Sequence, residues 1–171
     1  MCYNTGMELI ILEETESTNT LALQMARDGA AAGTAILALR QTNGHGQFGR
    51  PWASDIGGMY LSVIFRSKNV PETIAIGEIV RAFLVELTQS HQFTIKPPND
   101  ILFQNRKICG ILVESSTRGE DTFGAIGIGL NVNNTYPGGA NLHEIIGTQD
   151  VIAIARELVG AVINRPQRKD S

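Results

Sequence analysis

The sequence predicts an α+β fold, a mixed and largely antiparallel sheet with flanking helices. Three observations carry this expectation. The chain has 171 residues, 43% of them hydrophobic, which suits one domain with a sizeable core. Only three segments space their apolar residues as helices do, and short β-like runs separate them. The order reads β-α-β-β-α, then a run of hairpins before a closing helix, which favours antiparallel pairing over repeated βαβ crossovers.

Each element follows from local chemistry. Glu8 to Leu12 is a short apolar run with polar flanks and reads as a strand. Leu21, Ala22, Met25 and Ala26 then recur at helical spacing, with Ser17 or Thr18 as cap and Gly29 as stop. Thr34 to Leu39 is a second buried strand, running into a glycine-rich, partly basic loop from Gly44 to Trp52. Tyr60 to Phe65 is the third strand. Pro71 and Glu72 open a helix that sets Ile76, Ile79, Val80, Phe83, Leu84 and Leu87 on one face.

Beyond Phe93 to Ile95, two prolines in Lys96-Pro97-Pro98-Asn99-Asp100 forbid a helix and favour an extended turn. Ile101 to Phe103 and Lys107 to Glu114 flank Gln104-Asn105-Arg106 as a hairpin. If the second of these strands is regular, Lys107 and Cys109 share a face. Thr117 to Asp121 reads as another turn, and Thr122 to Leu130 as a strand carrying three glycines. Asn131 to Gly147 reads as loop. Val151 to Ile163 closes the domain as an amphipathic helix with Ile154, Leu158 and Val162 on one stripe. The domain is expected over residues 1–165, with 166–171 as a flexible tail.

Composition excludes several classes. With 14 Lys and Arg against 17 Asp and Glu, the net charge is −3, which disfavours binding to nucleic-acid phosphates. No apolar run approaches the ~18 residues of a membrane span, and no signal peptide is read at the start. Cys2 and Cys109 make no disulfide framework and share no metal-ligand spacing with His45, His91 or His143. A cytoplasmic protein is expected, without DNA or membrane partners.

Gly44 to Gly49 matches G-x-G-x-x-G, yet Arg50-Pro51-Trp52 follows where a dinucleotide fold needs a helix. Its physical content survives: glycines let backbone N–H groups approach an anion, and Arg50 and His45 add charge. Asn99 and Asp100 either face a metal-bound triphosphate or bond their own turn. Lys107 is either a solvated guard at a strand start or a point charge for phosphate. Cys109 reads as a buried structural thiol. Gly127 and Gly129 alternate in a strand, which suggests close approach of something to one face, while Asn131 and Asn133 are contacts or turn formers.

Taken together the segments resemble the catalytic domain of biotin–protein ligases, that is, biotin–[acetyl-CoA-carboxylase] ligases. The blocks are Glu16-Ser17-Thr18-Asn19, Gln41, the loop GHGQFGRPW, Gly57-Gly58 before YLS, KPPND, Arg106-Lys107-x-x-Gly110-Ile111-Leu112-x-Glu114, and GIGLNVN. They occur in family order across residues 8–134. The resemblance implies the biotin/lipoate ligase fold, akin to class II aminoacyl-tRNA synthetases. It implies ATP and Mg²⁺ as cofactors, biotin as substrate, biotinyl-AMP as intermediate and a biotin carboxyl carrier protein as acceptor.

By the same resemblance, Lys107 and Arg50 are the catalytic cations. Biotin falls to Ser17, Thr18, Asn19, Gln41, Gly44, His45, Gly46, Gln47, Lys107 and Gly110. ATP falls to Gly49, Arg50, Trp52, Asn99, Asp100 and Asn131, with Asp100 also toward Mg²⁺. The family's loop reads G-R-G-R-x-G-R, so His45 and Gln47 replace two arginines, one by a group charged only when protonated. Pro97 stands where the family carries Trp. The resemblance includes neither the family's small C-terminal β-barrel nor an N-terminal helix-turn-helix, so repression of DNA is not expected. Two alternatives stand beside the ligase: a module that binds biotin or its adenylate with little transfer, or one chain of a split ligase. Lipoate or octanoyl transfer is a weaker third, because the R-R-x-x-G-G-G and H-D signatures are absent. A homodimer is compatible with the residues.

Overall fold

Strands β1 (Leu9–Leu12), β2 (Ala35–Ala38), β3 (Met59–Arg66), β4 (Phe93–Lys96), β5 (Asp100–Phe103), β6 (Arg106–Arg118) and β7 (Asp121–Leu130) form one sheet. The computed structural model describes residues 8–164, so the tail expected at 166–171 lies outside the described residues. The strand order is β1-β2-β3-β7-β6-β5-β4. Only the β1–β2 pair is parallel; the five other pairings are antiparallel. The expected α+β class and its mixed, mostly antiparallel sheet are what the structure has.

Helices α1 (Thr18–Arg27), α2 (Thr73–Thr88), α3 (His143–Ile146) and α4 (Val151–Ile163) flank this sheet. Alternation along the strands divides their side chains between two faces. One face carries Leu37, Leu61, Val63, Ile126, Ile128 and Leu130, and packs on Ile76, Val80 and Leu84 of α2 and Ile154, Leu158 and Val162 of α4. Each such fully buried aliphatic contributes about 1.5–3 kcal/mol relative to exposure. The other face carries Ile36, Ile64, Phe123 and Ala125, covered by Ala22 and Ala26 of α1. Alanines let this helix lie close, and it covers only part of the face. The uncovered remainder carries Gly110, Gly127 and Gly129.

Side-chain caps fix the starts of α1 and α4. The Ser17 side chain accepts from the Thr20 N–H at 3.4 Å, and Asp150 accepts from Ile152 and Ala153 at 2.9 and 3.1 Å. At the far end of α1, Arg66 donates to the Ala26 and Ala30 carbonyls and pairs with Asp121. That side chain ties the ends of α1 and β3 to the start of β7.

Four local expectations are corrected. The turn expected at Thr117 to Asp121 shrinks to Gly119-Glu120, because β6 and β7 stay paired through Thr117↔Thr122 and Arg118↔Asp121. Gly119 takes φ +63°, which permits so tight a turn. The hairpin loop at 104–106 is likewise only Gln104-Asn105, both left-handed, and Arg106 already pairs with Phe103. The segment Asn131 to Gly147 holds one helical turn, α3, rather than loop alone.

The fourth correction matters most. Ile101 pairs with Cys109 and Leu102 with Lys107, so Ile108 is an extra residue bulged out of the β5–β6 register. Lys107 and Cys109 therefore do not share a face. The bulge instead brings Lys107 onto the same face as Gly110, three residues on, while Cys109 joins the core.

Candidate functional site

The open part of the α1 face is a cavity of about 250 Å³. Its floor is nearly free of side chains. Gly110 of β6 pairs with Gly129 of β7, and Gly127 lies two residues along. A Cβ at Gly129 or Gly110 would come within 2.7 and 2.8 Å of the Trp52 ring, and one at Gly127 within 2.6 Å of Asn19 Oδ1. The alternate glycines thus exist because the Trp52 indole and the Asn19 amide lie flat against the sheet.

One end of the cavity is built of amides and hydroxyls. The Thr18 N–H and hydroxyl both donate to Gln41 Oε1, at 2.8 and 3.1 Å. Gln41 Nε2 donates to Ser54 Oγ at 2.9 Å, which donates to the Trp52 carbonyl at 3.0 Å. Ser62, fully buried on β3, lies 2.9 Å from Thr18 Oγ1 and 2.8 Å from Asn19 Oδ1. Its one hydroxyl proton serves either acceptor. Asn19 Nδ2 donates to Glu114 Oε2 at 2.6 Å, which fixes that amide's orientation. The cavity is left with a second Asn19 N–H, a second Gln41 N–H and hydroxyl oxygens, a set that suits a small ring bearing both donors and acceptors.

The other end is cationic and aromatic. Lys107 Nζ is 2.6 Å from Asp100 Oδ1 and 4.8 Å from the Trp52 ring centroid. Trp52 lies within 10° of the Tyr136 plane, with centroids 6.5 Å apart. Trp52 Nε1 is buried without a partner, an expensive state that leaves it free to donate to a ligand. Arg50 and Gln47 also line the cavity; Gln47 opens a short 3₁₀ turn, Gln47–Gly49, and Arg50 directly follows it.

Of the residues expected at the site, Ser17, Thr18, Asn19, Gln41, His45, Gly46, Gln47, Arg50, Trp52, Asn99, Asp100, Lys107 and Gly110 line this one cavity. Three stand elsewhere. Gly44 is wedged against Ser54, Gln41 and the Trp52 carbonyl, where a Cβ would clash at 2.4–2.7 Å. Gly49 takes φ +70° in the turn and faces open space. Asn131 is buried, donating to the Ala140 carbonyl and accepting from Asn134, so its amide orders the 131–147 segment. His45 lies toward the amide end, 3.6 Å from Glu114. Ser62 and Glu114, though inside the quoted blocks, were given no role by the sequence, and neither was Tyr136. A lone serine inside the apolar run YLSVIF was a usable signal; Tyr136, in an irregular segment, gave none.

Asp100 can hold a divalent cation only together with a ligand's own phosphates. It is one carboxylate, and among the described residues no three His, Cys, Asp or Glu side chains come together. Burial pushes the Cys109 thiol up to about 12, so it stays protonated and unreactive near neutrality. In a Cys2→Ser background, a thiol reagent at about pH 8 should label Cys109 only after unfolding. Fast labelling of the folded chain would contradict this placement. Burial also raises the Tyr60 phenol, whose hydroxyl donates to the Asp55 carbonyl at 2.7 Å.

Comparison with known proteins agrees with this architecture. Residues 11–131 match the biotin/lipoate A/B protein ligase family. The chain is 35% identical over 135 residues to the bifunctional ligase/repressor BirA of Bacillus spizizenii, covering 75% of this chain and 41% of that protein. It thus spans about two fifths of that relative's length. A biotin protein ligase from Aquifex aeolicus, solved with biotin and ATP, superposes with a TM-score of 0.77 at 30% identity, over 91% of this chain and 68% of that one. A Leishmania major biotin protein ligase with biotinyl-5-AMP gives 0.70 at 25% identity, over 91% and 72%. No helix among the described residues is long and apolar enough to cross a membrane. The chain belongs to the biotin/lipoate A/B protein ligase family and corresponds to the catalytic domain of its biotin protein ligases.

Proposed function

We propose that the chain activates biotin with MgATP and passes the biotinyl group to a lysine of a biotin carboxyl carrier protein. The observation that carries this reading is the polarity of a single cavity. Neutral donors and acceptors (Thr18, Asn19, Gln41) sit at one end and Lys107 beside Trp52 at the other, with Arg50 also in the lining. A cyclic urea matches the first end, and a carboxylate meeting a nucleotide phosphate matches the second.

A biotin carboxylate oxygen attacks the α-phosphorus, the bond to the β-phosphate bridging oxygen breaks, and pyrophosphate leaves. Lys107 and Arg50 offset the mutual repulsion of the two anions and hold them in line. Lys107 would exchange Asp100 for the incoming anions, and the Asp100 carboxylate, beside Asn99, would then be the residue to hold Mg²⁺. The ion supplies charge neutralisation on the phosphates. An acceptor lysine amine then attacks the acyl carbon, AMP leaves, and the amine loses a proton. Cys109, buried on the opposite face, takes no part.

Incubation with biotin, MgATP and a carrier domain tests the reading: pyrophosphate release with biotinylated carrier is expected. One observation favours a second reading, a module that keeps biotin or its adenylate with little transfer. The cavity wall bears uncharged Gln47 where the family's loop has arginine. Biotin binding without pyrophosphate release would select it. Gln47→Arg should slow biotinyl-AMP release about tenfold, since a charge-assisted hydrogen bond exceeds a neutral one by ~1.4 kcal/mol. Equal off-rates would assign retention to the loop's backbone N–H groups with Arg50 and Lys107.

A further inference from the structure

We propose that Arg106 is a positioning residue for the nucleotide end of the cavity, acting through Glu144 and the Gly139 carbonyl to hold Tyr136 over Trp52. The inference deepens the adenylation reading and takes its kinetic meaning from it, while its structural part stands on geometry alone.

The segment Asn131 to Gly147 leaves the sheet at the end of β7 and folds back beside the first residues of β6. Arg106 fastens it there. Its Nη1 donates to the Gly139 carbonyl and to Glu144 Oε2, both at 3.1 Å, and its Nη2 donates to Glu144 Oε1 at 2.5 Å. The next residue on the strand adds a backbone link, the Ala140 N–H donating to the Lys107 carbonyl at 2.9 Å. Contact is close enough to exclude a side chain: a Cβ at Gly139 would come within 2.9 Å of that carbonyl and 2.7 Å of the Tyr136 ring. Tyr136 therefore rests on Gly139, and its plane faces Trp52. Trp52 in turn lies on Gly110 and Gly129, beside the Lys107 ammonium.

An exposed ion pair by itself contributes little. This one is a two-pronged fork with a third bond to a main-chain carbonyl, a geometry that fixes position as well as charge. It joins residues 38 apart in sequence. The Arg106 side chain is 41% exposed and lies outside the core, so truncating it removes no core packing. Its effect should fall on the segment it holds and on the ligand end that segment walls.

The test uses the full chain and the variants Arg106→Ala, Glu144→Ala and the exchange Arg106→Glu with Glu144→Arg. Trp52 is the only tryptophan, so intrinsic fluorescence reads its contact with Tyr136 directly. Arg106→Ala should raise the KM for ATP and the biotinyl-AMP release rate about tenfold, and leave nucleotide-free biotin affinity within about twofold. It should also change Trp52 emission and speed hydrogen exchange at the Ala140 amide. Glu144→Ala should move the same quantities in the same direction. The exchanged pair should recover the ATP KM to within about threefold, short of full recovery because the Gly139 bond stays lost. Unchanged emission and exchange in Arg106→Ala would overturn the proposal, as would equal losses for biotin and ATP. A wild-type chain that forms no adenylate would sink the adenylation reading, while emission and exchange would still decide the role of Arg106.

Discussion

Lys107→Ala is expected to cut pyrophosphate release from biotin and MgATP by at least ~100-fold, the scale of losing a charge aimed at a reacting phosphate. The ammonium sits between the Asp100 carboxylate and the face of Trp52, at the end of the cavity that carries charge. It bears no core packing, so the sheet survives its loss. Asp100 is the complication, because its half-buried carboxylate would be left without a counter-ion. The double variant Lys107→Ala with Asp100→Asn removes that penalty. It should melt close to wild type and remain without adenylation. A folded Lys107→Ala chain that releases pyrophosphate at the wild-type rate would remove this lysine from the chemistry.

Gly127→Val should weaken biotin binding by at least ~100-fold, through the opposite end of the cavity. Even the first carbon of the new side chain would lie 2.6 Å from Asn19 Oδ1, inside contact distance. Asn19 has no retreat, since Ser62 holds its oxygen and Glu114 its nitrogen. Displacing it breaks both bonds and fills the floor on which a ring would rest. The fold should lose about 1–3 kcal/mol, as overpacked sites do, and remain assembled. Calorimetric titration of biotin into the variant measures the effect. Wild-type affinity would mean that Asn19 can lift away and that the glycine floor does not shape this end.

Much of this architecture is legible in the residues because strong local signals and the tertiary packing agree. Val151 to Ile163 is helical with the same bounds by pattern and by structure, since its apolar stripe is also the stripe that meets the sheet. The same holds for Ser17 as a cap and for the buried run at β2. What escapes is non-local. Ser62 acts only because β3 passes beneath α1, so its partners Thr18 and Asn19 lie 44 and 43 residues away. Asn131 carries the residue type of a ligand contact, yet its bonds are spent on Ala140 and Asn134. The face of Lys107 depends on one extra residue in a ladder, which period-two counting cannot see.

That extra residue also guards the assembly of the sheet. Suppose β6 met β5 without the bulge at Ile108, with Cys109 still opposite Ile101. Lys107 would then share the Cys109 face, thrusting an ammonium toward the packed aliphatics. Stripping an unpaired charge of water costs several kcal/mol, so such a mispaired ladder is strongly disfavoured. The charge of Lys107 thus opposes that alignment, besides standing at one end of the cavity.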